Sequence, residues 1–583
     1  MVRADVRAPI YLDYAATTPV DPAVARAMSD ALNAAAEYGN AASVTHVFGR
    51  RADARIEAAR AQVAALIAAR PEDIIFTSGA TESNNLAILG VARANADRKR
   101  HIITSRIEHK AVLDPCKQLE REGFTVTYLA PDANGSVTPG AVQAWLRPDT
   151  ALVSIMHVNN ETGVVQDIRA IGEMCRAHGV PFHTDAAQSV GKLPVDVTAL
   201  PVDLLSFTAH KIYGPQGIGA LYVRPEVRAV LRPVTFGGGQ ERGLRPGTLA
   251  LHQIVGFGRA AEIASDVLAR EAGRVTALRD RMWIALQRLV GVHLNGEAAP
   301  RSPGILNVSF EGVEGESLVM GLPQLAVTTG SACSSGSGEP SYVLRALGRS
   351  TQLAQSSLRF SFGRGTTEAD IDAAAAAVIG HVQRLRRVSP ARVSANAASA
   401  NEASLSMRRM VSGGARSSAS SMIAGPSASG ASDIEVGGEP SVHYESVSSY
   451  ELDTLSPLTR RYFDALPGAG ELTQTGDAAS ASADGDVHGE AGSVAEGAWV
   501  RFHLRVANGI VKAALFQAYG CPHTLAVTAW LTEQLPGRSL TDGVPGTPAA
   551  WLEALDVPVE KLGRLLTVED AVRATMQHWA ERP

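Results

Sequence analysis

Phe182-His183-Thr184-Asp185-Ala186-Ala187-Gln188 is followed sixteen residues on by Leu204-Leu205-Ser206-Phe207-Thr208-Ala209-His210-Lys211, and the two together point to one architecture. Each half is a short apolar run that ends on polar side chains. Around them, short strand-like runs recur at Ile74–Thr77, His101–Thr104, Ala151–Val158, Pro181–Asp185, Leu204–Phe207 and Ala220–Val223. Amphipathic patterns with helical period lie between them, as at Arg50–Ala69 and Ile168–Ala177. Strands alternating with helices predict an α/β fold: a mostly parallel sheet with helices on both faces, and ligands held at the carboxyl ends of the strands. Asp185 and Lys211 both fall at such ends. A longer helical pattern, Gln253–Leu289, leads into a smaller α+β region that contains Cys333.

The chain has 583 residues, too long for one core, and 45% hydrophobic with 19% charged residues is ordinary globular composition. A net charge of −5 gives no reason to expect a nucleic-acid surface. Met1-Val2-Arg3-Ala4-Asp5 shows no apolar signal region, and no apolar run reaches the 18 or so residues of a membrane span. Four cysteines in so long a chain cannot form a disulfide framework and suit a reducing compartment. A cytoplasmic protein without membrane contact is the expectation.

Residues 391–440 are dominated by Ser, Ala and Gly. Such a segment buries too little to offset its ordering entropy, which predicts a disordered tether with an end-to-end distance of roughly 40 Å. A second module follows. Trp499–Val506 alternates with period two, Asn508-Gly509 signals a hairpin, and Ile510–Phe516 supplies the return strand. Cys521-Pro522 opens a helix ending before Pro536-Gly537, and Thr567-Val568-Glu569-Asp570 reads as the capped start of the last helix. The Ser/Ala/Gly/Asp-rich stretch between Gly468 and Gly497 reads as a mobile loop.

A lysine after Thr208 and His210, beside an upstream Asp185, suits pyridoxal phosphate. The amine captures the aldehyde, and the carboxylate keeps the pyridine nitrogen protonated so that the ring accepts electrons. Thr77-Ser78-Gly79-Ala80-Thr81-Glu82 joins a strand to a helix whose first N–H groups, with the Thr81 hydroxyl, suit a phosphate. His109 is placed to stack on the ring and move protons. Cys333, within Gly330–Gly338, is a thiol on a loop of small residues, able to attack in a pocket and carry its cargo out. Cys116 and Cys175 lie in helical patterns and read as buried spectators.

Tyr11–Pro19, Thr77–Glu82, His157-Val158-Asn159-Asn160-Glu161, Asp185–Gln188 and His210-Lys211 together resemble the NifS/IscS-type cysteine desulfurases, class V members of the fold-type-I pyridoxal phosphate enzymes. The likeness runs from about residue 10 to 390. It implies a segment 1–15 belonging to a small domain, a large cofactor domain 16–260, and a small domain 261–390. It further implies that Lys211 carries the cofactor, Asp185 pairs with its pyridinium, Gln188 reaches its phenolic oxygen and His109 covers its face. Ala80, Thr81, Thr208 and His210 would contact the phosphate, with Thr248 coming from the partner subunit of a homodimer. Asn160 and Arg359 would bind the substrate carboxylate. Cys333 would accept sulfur from L-cysteine, with alanine released, for delivery to an iron–sulfur scaffold or another acceptor. The rivals are a selenocysteine lyase, a class V aminotransferase, which has no need of Cys333, and an interaction protein with a vestigial first half.

Residues 441–583 resemble an IscU-type scaffold through Phe516–Thr524, Leu535–Leu540 and Val568–Ala571. Such scaffolds hold a cluster with three cysteines. Here only Cys521 remains; Ala495-Glu496-Gly497-Ala498 and Gly563-Arg564 stand where other ligands would be. A degenerate module follows, which docks, regulates, or takes persulfide at Cys521. No resident metal is expected, Cys333 being at most a transient iron–sulfur ligand.

Overall fold

The computed structural model describes residues 8–33, 38–329, 340–389, 455–472, 485–494 and 496–581. The loop of Cys333 and the tether 391–440 lie outside the described residues.

Strand β1 (Ile10–Tyr11) precedes seven strands of one sheet: β2 (Ile74–Thr77), β3 (His101–Ser105), β4 (Thr125–Leu129), β5 (Thr150–Ser154), β6 (Phe182–Asp185), β7 (Leu204–Thr208) and β8 (Gly219–Val223). Their order is β2-β8-β7-β6-β5-β3-β4, parallel except for β8, which runs antiparallel to both neighbours. All residues of β2, β3, β5, β6, β7 and β8 are buried. Helices cover both faces of a parallel sheet, which is why these strands read as nearly continuous apolar runs. Only β4 was not legible. It is a half-exposed edge strand, Thr125-Val126-Thr127-Tyr128-Leu129, without an apolar run. The run expected over Ala151–Val158 leaves the sheet at Ser154, and Met156–Glu161 turns toward the pocket described below.

The helix Leu251–Leu286 spans 36 residues and leads into the smaller region. There β9 (Val292–Leu294), β10 (Ile305–Phe310) and β12 (Ser357–Ser361) form an antiparallel sheet in the order β12-β10-β9. The chain start joins this region, since β1 pairs in parallel with β11 (Leu325–Ala326).

In the C-terminal unit β13 (Gly485–Ser493), β14 (Ala498–Ala507) and β15 (Ile510–Tyr519) form an antiparallel meander packed on the helix Leu562–Ala580. Asn508 and Gly509 take φ of 53° and 71°, the paired left-handed turn that a two-residue hairpin demands. Two expectations need correction. Part of the stretch read as a mobile loop is β13, whose Val487 and Gly489 are buried. The last helix starts at Leu562, not at Thr567. Leu565 already begins its buried stripe with Val568, Ala571 and Val572, and a threonine within a helix points its hydroxyl back toward the carbonyl four residues earlier.

The C-terminal unit does not stand apart. One hydrophobic cluster runs from Leu318, Leu322 and Leu385 of the smaller region into Phe463, Phe516 and Leu525. Around it Ser317 Oγ donates to Gly520 O at 2.7 Å, Arg460 to Met320 O at 2.9 Å, and Arg384 to Phe463 O at 2.7 Å. Lys561 pairs with Glu316 at 2.9 Å. Among the described residues no helix is long and apolar enough to cross a membrane.

Candidate active site

At the carboxyl ends of β2, β6 and β7 lies a cavity of about 500 Å³. It is lined by Ala80, Thr81, His109, Asn160, Asp185, Gln188, Thr208, His210, Lys211 and Arg359, ten positions singled out from the sequence. Of the other three, Thr248 is exposed and does not line this chain's cavity. Cys521 lies in the C-terminal unit, and Cys333 is outside the described residues.

The floor is built from strand ends. Asp185, the last residue of β6, accepts from Asn84 Nδ2 at 2.7 Å and from the Ala187 N–H at 2.9 Å. Both contacts fix the orientation of the carboxylate. Lys211 follows β7 in a single 3₁₀ turn, and its Nζ donates to Ala15 O at 2.8 Å. The neighbouring His210 receives or donates at Nδ1 to Thr17 Oγ1 at 3.1 Å; burial, with Lys211 and Lys192 nearby, lowers its pKa to about 4. Residues 15–17 of the chain start thus close one wall.

On another side the helix Ala80–Ala94 begins directly after β2, with Ser78, Gly79, Ala80 and Thr81 on the cavity. β8 passes close beneath. A Cβ at Gly219 would lie 2.7 Å from the backbone of Gly79 and from Phe207 O, so only glycine lets the strand approach that turn. Arg245 ties the segment before Thr248 to the same turn through Glu82 at 2.9 Å.

His109 caps the helix Lys110–Arg121, its Nδ1 accepting the Ala111 N–H at 3.1 Å. In the neutral ring the proton is then on Nε2. Opposite stands Arg359 of β12, nearly fully buried. Its two Nη atoms are engaged, by Asp13 at 2.7 Å and by Asn160 O at 2.9 Å, so the guanidinium is not the open fork expected for a carboxylate. Arg359 Nε and Asn160 Oδ1 are buried with no partner among the described residues. Unpaired buried polar atoms are rare and point to a missing group.

Several residues in or beside the cavity are not among those that the sequence reading assigns to the site. Glu161 is buried beside Asn160 and accepts from Ser341 Oγ. Burial raises its pKa to about 7, against the opposing pull of Ser341, Arg359 and His109. Tyr342 lines the cavity and donates to Glu108 O at 2.7 Å. Ser341 and Tyr342 thus root the described chain just after the Cys333 loop on both sides of the site. Asn84 could have been found from its position one turn after Thr81; Lys192 is considered below.

Cys521 is the residue before the helix Pro522–Gln534, 4% exposed, with Sγ 3.4 Å from Thr524 Oγ1. Burial and the nearby Glu316 raise its pKa. Where a scaffold would carry other ligands, Arg564 Nη1 donates to Glu496 O at 2.8 Å. Among the described residues no group of three His, Cys, Asp or Glu could hold a metal.

The groups around the cavity fit pyridoxal phosphate: a fixed carboxylate for the ring nitrogen, an amine for the aldehyde, and a helix-start turn for the phosphate.

Residues 10–374 match the family described as Aminotransferase class-V, and residues 469–583 match the NifU-like N terminal domain. The chain is 59% identical over 385 residues to a cysteine desulfurase IscS of Pseudomonas aeruginosa, covering 66% of this chain and 95% of that one. A cysteine desulfurase IscS of Serratia proteamaculans is 57% identical over the same coverage. Among solved structures, a NifS-like protein superposes with a TM-score of 0.58 at 36% identity, over 65% of this chain and 99% of its own. SspA in complex with cysteine gives 0.55 at 39% identity, over 61% and 99%.

Proposed function

Since the chain belongs to the class-V aminotransferase family, we infer that it is a pyridoxal-phosphate-dependent cysteine desulfurase, converting L-cysteine to L-alanine and passing sulfur to an enzyme thiol. The observation that carries this reading is the convergence of Asp185, Lys211, His109 and Arg359 on one cavity beside the roots of the Cys333 loop. When bound, pyridoxal phosphate supplies an aldehyde that captures amines and a ring that accepts electrons.

Each side chain then has a task. Lys211 would hold the cofactor through its amine, and the same amine would serve as a base for the substrate's α-proton. Asp185, fixed by Asn84 and the Ala187 N–H, would hold the pyridine nitrogen of the cofactor and favour its protonated form. His109, whose Nδ1 accepts the Ala111 N–H, would cover the cofactor ring and move protons through Nε2. Thr81, Thr208 and the N–H groups around Ala80 receive the phosphate, with His210 at its edge. Asn160, through its Nδ2 donor, and Arg359 Nε would hold the substrate carboxylate alongside the Asp13 pair. Cys333, as thiolate, forms a new S–S bond to the substrate's sulfur while the C–S bond breaks; carbon takes the electron pair and a proton, and alanine leaves.

A homodimer belongs to this reading. Thr248 is exposed, and Phe236, earlier in the same stretch, is 85% exposed, as suits a segment that completes a second copy's phosphate site. So does a cytoplasmic setting, since the three described cysteines are unpaired. The match to a NifU-like domain favours iron–sulfur assembly as a destination of the sulfur. The C-terminal unit acts by docking on its own enzyme, with Cys333 as the primary carrier.

The test is the full chain reconstituted with pyridoxal phosphate and given L-cysteine and a reductant. A visible absorption band with equal yields of alanine and sulfide is expected. Cys333→Ser should keep the band and lose at least a hundredfold in alanine formation. A colourless protein, or a serine variant of undiminished rate, overturns the reading.

A further inference from the structure

Lys192 takes no part in the tasks assigned above, yet its ammonium reaches the site. Its Nζ donates to Gln188 Oε1 at 2.8 Å. Gln188, 3% exposed, donates in turn from Nε2 to Ala15 O at 2.8 Å, the same carbonyl that receives Lys211 Nζ at 2.8 Å. Two lysines and one glutamine are therefore linked through a single backbone oxygen.

An amide has two unlike ends. Its oxygen only accepts and its NH₂ only donates, while an ammonium only donates. While charged, Lys192 can therefore meet Gln188 only at the oxygen; a flipped amide would set two donors against each other. With the oxygen held, the NH₂ must turn toward Ala15 and the cavity. The arrangement costs something to keep. Among the described residues no carboxylate pairs with Lys192, and Lys211 and Arg359 lie close enough, with burial, to lower its pKa to about 7. A buried ammonium beside two cations is unfavourable unless it does something a neutral side chain could not.

We propose that Lys192 is a positioning residue: it locks the Gln188 amide so that only N–H faces the phenolic oxygen of the bound cofactor, and so holds that oxygen in its anionic form. The inference rests on the reading of the protein as a pyridoxal phosphate enzyme. An N–H donor favours the charged form of an oxygen acid, whereas an amide oxygen turned inward would favour the protonated one.

The experiment is a pH titration of the visible band in the reconstituted full chain, without substrate. Lys192→Met frees the amide and removes a charge, and the band's midpoint should rise by about one pH unit. Lys192→Gln, which can donate or accept, should shift it in the same direction and covers the case in which the methionine variant does not fold. Lys192→Arg, still a donor, should keep the parent midpoint. In a Gln188→Met background the Lys192→Met shift should shrink to a third or less, because the two residues act as a unit. An unshifted midpoint in both neutral variants overturns the proposal. So does a shift of equal size in both backgrounds, which would mean that Lys192 acts by charge alone. A parent protein with no visible band instead removes the functional reading beneath it.

Discussion

Asp185 owes its usefulness to a residue that is not acidic. Asn84 reaches it from the helix Ala80–Ala94, and without that hydrogen bond only the Ala187 N–H still holds the carboxylate. Hydrogen bonds to charged groups contribute about 1.5–3 kcal/mol. Asn84→Ala should therefore lower the rate of alanine formation roughly ten- to a hundredfold with the fold intact, as judged by an unchanged far-ultraviolet spectrum. Glu161 gives a second prediction. Its pKa rises from 4.5 to about 7 on folding, chiefly through burial. The unfolded chain then loses this proton more readily than the folded one, so stability is full at the acid end and falls as pH rises through about 7. Denaturant midpoints at pH 5 and pH 8 should differ less in Glu161→Gln than in the parent; an equal difference would assign the slope to other groups. Ionisation of Glu161 also alters the hold on Ser341, the first anchor beyond the loop of Cys333.

At the scale of elements, what burial dictates was readable and what a single contact dictates was not. Strands covered on both faces announce themselves as apolar runs, and β6 and β7 were found with Asp185 and Lys211 at their ends. Edge strand β4 and strand β13, with its exposed positions and three glycines, carry little apolar signal and were missed. The last helix was started late because Thr567 looks like a cap, though its neighbours Leu565 and Val568 already face the core. Ten cavity positions came from motif and resemblance; Asn84 lies one turn after Thr81 and Glu161 inside a motif, but their partners, like those of Tyr342 and Lys192, are fixed by spatial contacts. One close approach can be tested on its own. Gly219→Ala would press β8 against the turn at Gly79, so cofactor retained after dialysis should fall several-fold. Gly140→Ala, with open space around its Cβ position, should leave retention unchanged.

For the whole molecule the decisive fact is that the two halves share a core. Cys521 lies beside their contact, next to the Gly520 carbonyl that Ser317 grips and near the Lys561–Glu316 pair. Lys561→Glu would set a third carboxylate beside Glu314 and Glu316 and should loosen the contact. Alkylation of Cys521 in the folded chain, followed by peptide mass spectrometry, should then run at least tenfold faster than in the parent. An unchanged rate would mean that the thiol is sealed within its own unit. The shared core also has a consequence for how the protein is made. The ribosome releases residues 315–320 long before residues 455–581, and at about 5–20 residues per second the later half arrives many seconds afterwards. For that interval the newborn enzyme presents a bare seat, open to whatever binds nascent chains, until its own tail is threaded into place.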